Sequence, residues 1–191
     1  MEHLPAAGGA LTTLSTRQAR TVAAVAARIF PSDDLGIGAA EAGVLFYIDR
    51  SLGGALADLL PRYEEGVDAL EVYCAAHHAM PFAELDPVIQ DAVLRDMESE
   101  EGIPGFGASG SRSFFHLVIA HTREGMFCDP AYGGNQGALG WRLLGFPGVQ
   151  RTFTAEEQMG APIIREHIGT MADMNFRYEP TARATGAGAG E

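Results

Sequence analysis

The stretch SRSFFHLVIAHTREGMF, residues 111–127, decides the architecture. Read as a helix, it places Phe114, Phe115, Leu117, Val118 and Ile119 around most of its girth. A helix that is apolar nearly all round has no face to give to water and takes the centre of a bundle. Upstream, residues 102–111 are a Gly-rich break. Downstream, regular periodicity ends at Cys128.

The segments before the break pack naturally around such a centre. Ser15 opens a Ser-x-x-Gln capping box with Gln18, and Ala19, Val22, Val25, Ala26 and Ile29 follow at helical spacing. Phe30-Pro31 ends that helix, because proline disfavours helical geometry in the residue before it. A second apolar helix is predicted over 40–52, stopping at Gly53-Gly54. A third is predicted over 61–80, with Tyr63, Val67, Leu70 and Cys74 on one stripe. Asp86-Pro87 is an N-cap with proline at the first helical position and starts a fourth helix to 98. A short helical turn is expected over 138–144, and a last helix from the Thr154…Glu157 capping box to 174. No segment alternates with period two, so the fold class is all-α: a compact bundle of about five to seven helices with a Gly- and aromatic-rich C-terminal loop region. Residues 1–14 read as a flexible arm, 15–178 as one helical domain and 179–191 as a disordered tail.

Charge narrows the chemistry. The 191 residues carry 25 acids and 13 bases, and every base is Arg. Without lysine there is no Schiff-base amine, no phosphate-loop Lys and no cationic face of the kind nucleic acid requires. Residues 30–101 hold 16 acids against three Arg, whereas residues 130–185 hold five of each. The middle helices thus form the solvated, acidic part, and the neutral segment after Cys128 is the less water-loving one. No apolar run reaches the roughly 18 residues of a membrane span. Two cysteines, Cys74 and Cys128, build no disulfide framework or zinc site and read as two buried thiols.

Candidate chemistry is sparse. Residues 105–110 match GxGxxG, but acidic, non-strand residues precede them and no second strand follows. The match reads as a helix-to-helix turn rather than a dinucleotide loop. His77 and His78 diverge on a helix, as do His116 and His121. His121, with Glu124 one turn on or with Asp129, is the one arrangement a stand-alone helical enzyme could use as a general base. The competing reading is a core histidine satisfied by Glu124 or a backbone carbonyl. Asp33, Asp34 and Asp49 read as capping residues of turns and helix starts.

One segment stands apart: Phe127-Cys128-Asp129-Pro130-Ala131-Tyr132-Gly133-Gly134-Asn135, then Gly140-Trp141-Arg142-Leu143-Leu144-Gly145-Phe146-Pro147-Gly148. Asp-Pro followed by Gly-Gly-Asn demands tight turns. Such a loop either presents Tyr132, Trp141, Arg142 and Phe146 as interface anchors or turns its aromatics inward to close the core. The composition leaves both open.

These runs resemble the gluconate 2-dehydrogenase subunit 3 family. The likeness extends upstream through residues 29–33, 41–44, 47–49 and 121–127, and covers about residues 15–150. It implies a helical small subunit without redox chemistry or cofactor of its own. Such a subunit assists the folding, flavin loading or export of an FAD-containing catalytic subunit of the glucose-methanol-choline type. Many such complexes add a haem-bearing electron-transfer subunit, and their substrates are sugars, polyols or sugar acids. On this resemblance the partner-binding residues are Asp129, Pro130, Tyr132, Gly133, Gly134, Asn135, Trp141, Arg142, Phe146 and Pro147. Family members commonly carry a twin-arginine export signal. The N-terminus here shows none, which makes the cytoplasm the expectation and the periplasm, reached with a partner, the alternative.

Overall fold

The computed structural model describes residues 10–34, 36–150, 152–163 and 167–173. Among them are seven α-helices and no strands: α1 (Thr16–Ile29), α2 (Val44–Leu52), α3 (Leu60–His78), α4 (Pro87–Glu98), α5 (Gly110–Phe127), α6 (Leu139–Leu144) and α7 (Ala155–Gln158). The fold is all-α. The expected tail, 179–191, and residues 1–9 of the arm lie outside the described residues.

Helix α5 is the axis, packing against α1, α2, α3, α4 and α6. Phe114, Phe115, Val118 and Met126 are buried, while Leu117 and Ile119 are half-buried against the same core. Val22, Val25 and Ala26 of α1, Ile48 and Leu52 of α2, Tyr63, Val67 and Leu70 of α3, and Val93 and Met97 of α4 close around it. Each fully buried aliphatic side chain of this kind contributes about 1.5–3 kcal/mol. Both expected upstream caps form. Ser15 and Gln18 bond reciprocally, and Asp86 accepts the Val88 N–H at 2.9 Å.

Three boundaries differ from expectation. Helix α2 begins at Val44 rather than near 40, because Gly43 is left-handed (φ +70°) and residues 40–43 form a turn that meets the C-terminal loop. Helix α3 stops at His78, two residues early, where Ala79 adopts a left-handed conformation ahead of Pro81. The expected long last helix is the four-residue α7. Its Thr154–Glu157 capping box is present, but the left-handed Gly160 and then Pro162, which offers no N–H, end the run. Residues 164–166 and 174 of that expected helix lie outside the described residues.

The arm is tied down where it meets the domain. Asp49 on α2, only 1% exposed, accepts from the backbone N–H groups of Thr12, Thr13 and Leu14 and from the Thr12 hydroxyl, at 2.7–3.0 Å. It caps no helix start of its own. It holds the incoming chain so that Leu14 enters the core.

Candidate functional site

The last turn of any helix leaves carbonyl groups without intrahelical partners. At the C-terminus of α5 the distinctive loop satisfies them. The backbone N–H of Asn135 donates to the Gly125 carbonyl at 2.7 Å, and the Asn135 side-chain amide donates to the Cys128 carbonyl at 2.8 Å. The Asn135 side-chain oxygen accepts the Gly140 N–H at 2.7 Å. Trp141 donates its indole N–H to the Phe127 carbonyl at 2.8 Å and packs edge-on against Phe146, with ring centroids 5.1 Å apart.

This approach needs absent side chains. A Cβ on Gly134 would lie 2.3 Å from the Gly125 oxygen, and one on Gly140 would lie 2.0 Å from the Met126 oxygen. Backbone meets backbone there, so the glycines are required by contact as much as by turn geometry. Asp129 Oδ1 accepts the Ala131 N–H at 2.9 Å, and Oδ2 accepts the Met171 N–H at 2.7 Å, fastening the returning C-terminal segment to the loop.

The structure therefore divides the ten expected partner-binding residues. Asp129, Gly133, Gly134, Asn135 and Trp141 are buried, Pro130 and Pro147 are half-buried, and Tyr132, Arg142 and Phe146 are exposed. Of the two readings of the aromatics, both are realised by different residues. Trp141 is 7% exposed and donates its N–H to α5, so it takes the inward, core-closing role. Tyr132 and Phe146 face outward at 54% and 45%. Leu143 and Leu144, part of the same segment but not among the expected partner-binding residues, are exposed as well. The signal was available. In a six-residue helix whose Trp141 faces inward, the next residues must turn elsewhere.

The alternative enzymatic pairing, His121 with Glu124 or with Asp129, is not joined by a hydrogen bond or ion pair among the described residues. His121 is buried, stacks on Tyr63 and hydrogen-bonds to its hydroxyl through Nδ1 at 2.9 Å. Glu124 instead accepts the Tyr47 hydroxyl at 2.7 Å, and Asp129 is committed to the loop. The core reading of His121 holds with a different partner, Tyr63 in place of Glu124 or a backbone carbonyl. Burial lowers the His121 pKa below its ordinary value, opposed by the charge of Glu124. Burial, and secondly the bond to Glu124, push the Tyr47 phenol up to about 12.

The remaining candidates resolve plainly. The 105–110 turn joins α4 to α5 with no strand before it, and the Glu65 carboxylate lies beside Gly107, where a phosphate would be repelled. Cys74 and Cys128 are free thiols, buried and half-buried, which burial pushes up to about 12 and about 11. Among the described residues no three His, Cys, Asp or Glu side chains group as a metal site, and no helix is long and apolar enough to cross a membrane.

Fold and loop together define the class: an all-α protein in which a Gly- and aromatic-rich loop caps the central helix from within and leaves Tyr132, Arg142 and Phe146 exposed. The family model described as gluconate 2-dehydrogenase subunit 3 matches residues 16–148, and the chain belongs to this family. The match takes in the whole loop from Asp129 to Gly148. No curated protein and no solved structure matches the chain.

Proposed function

We propose that this chain is the non-catalytic small subunit that binds and stabilises the FAD-containing catalytic subunit of a sugar, polyol or sugar-acid dehydrogenase or oxidase. The partner is of the glucose-methanol-choline type. The chain assists its folding, flavin loading or export, and a haem-bearing electron-transfer subunit completes some such complexes. Membership of a family described as a subunit supports the reading. The observation that carries it is the division of the loop. Its inner residues lock it to α5, and its outer residues leave Tyr132 and Phe146 on a rigid surface where an interface would use them.

Affinity purification of the full chain from its native host tests this, with mass spectrometry and a visible absorption spectrum of the eluate. A co-purifying flavoprotein with sugar- or polyol-oxidising activity is the expected result. A lone, colourless chain is the result that overturns it.

A further inference from the structure

Helix α6 is amphipathic in an unusual sense. Trp141 faces inward, while Arg142, Leu143 and Leu144 are all exposed. Leu143 also forms one wall of a cleft of about 280 Å³, whose other walls come from Ile29, Phe30 and Ile37. That volume is at the small end for a drug-sized ligand and matches one or two inserted side chains. Two adjacent exposed leucines beside an open apolar cleft leave surface that a partner's burial would stabilise.

Charge specifies what that partner carries. Arg142 is the one charged side chain among residues 130–150. Its Nε–H donates to the Gly137 carbonyl at 3.2 Å, and no carboxylate among the described residues pairs with its guanidinium. This is in a chain with nearly two acids per Arg, where Arg17, Arg20 and Arg28 of α1 are each paired with one. The larger groove beside α3 differs on this point. Arg17 is there already paired with Asp68, and Glu71 accepts from Thr21 and from the Phe82 N–H.

Resting on the subunit reading above, we infer that the catalytic partner seats an apolar side chain in the cleft between Ile29, Phe30, Ile37 and Leu143 and sets a carboxylate against Arg142. Orientation follows from the same charges. Arg142 attracts the partner's carboxylate to the α6 side of the cleft. The net charge of -12 repels an acidic partner from the rest of the molecule, so this face is favoured during encounter.

The test uses the wild-type complex and titrates the purified catalytic partner against the full chain and its Arg142→Glu, Leu143→Ser and Leu144→Ser variants. Val88→Ser, on the exposed face of α4, serves as the reference. Arg142→Glu and at least one leucine variant are expected to bind about tenfold or more weakly, with unchanged melting temperature and with Val88→Ser at wild-type affinity. Increased salt is expected to weaken the wild type more than Arg142→Gln. Wild-type affinity in Arg142→Glu and both leucine variants overturns the surface and leaves the subunit reading standing. A wild-type chain that takes no flavoprotein, or that only self-associates through Leu143, overturns both.

Discussion

The indole N–H of Trp141 donates to the carbonyl of Phe127 at 2.8 Å, so the single tryptophan of this chain closes the helix at its centre. This relationship changes what the most distinctive segment is for. The loop is first a cap, and only its outer residues remain for recognition.

Trp141→Ala should lower stability by about 3–5 kcal/mol, the usual cost of emptying a buried aromatic site. Trp141→Phe, which keeps the ring but orphans the Phe127 carbonyl, should cost about 1–3 kcal/mol. For a domain of this size each kcal/mol is worth roughly 2–4 °C in Tm. Calorimetry on the three proteins checks the order, and an unchanged Tm in Trp141→Ala would refute the capping role.

Gly140→Ala is expected to be worse than its single methyl suggests. The added carbon would stand 2.0 Å from the Met126 oxygen, a backbone atom that cannot rotate away. Loss of soluble, cooperatively melting protein is the expected outcome by circular dichroism. A variant that melts like the wild type would mean that loop and helix do not approach this closely.

Asp49→Asn tests how the N-terminal segment is held. Each carboxylate oxygen accepts two hydrogen bonds, so either orientation of the amide turns its NH₂ toward two donors. The expected cost is about 2–3 kcal/mol. Limited trypsin digestion should then cut at Arg17 well before the rest of the domain. Equal digestion rates in the two proteins would show that the segment is secured by other contacts.

Acid should destabilise the domain through His121. Its folded pKa lies below the ordinary value of 6.5, with burial the main cause. Above that value both states are neutral and the contribution is complete. As pH falls through 6.5 toward the folded value, the unfolded chain binds the proton first, and stability declines. The Tm of the wild type should therefore fall more steeply between pH 7 and pH 5 than that of His121→Gln, measured in one buffer series. Parallel curves would show that His121 is not the group responsible.

Much of the bundle was legible in the chain because its signals are local. The Ser15–Gln18 box, the Asp86-Pro87 start and the all-round apolar character of residues 111–127 depend on neighbours a few positions away, and those elements form as expected. The errors came where a distant contact or a left-handed residue outweighs periodicity. Gly43 turns where an apolar pattern continues, because the loop around Gln136 must pass there. The Thr154 box starts a helix that Gly160 and Pro162 cut short.

The site was legible as a segment and not as a set of roles. Residue types at 129–148 marked a rigid loop and its family, since turn chemistry and composition are properties of the chain alone. Which aromatic faces inward is different. It depends on where the carbonyls of α5 end, on the gap left by Gly134 and Gly140, and on which donor can fill it. Asn135 and Trp141 supply those donors and are buried with them, while Tyr132, Leu143 and Phe146 are left to solvent. Burial is shared between segments far apart in sequence, so only the packed structure could assign it.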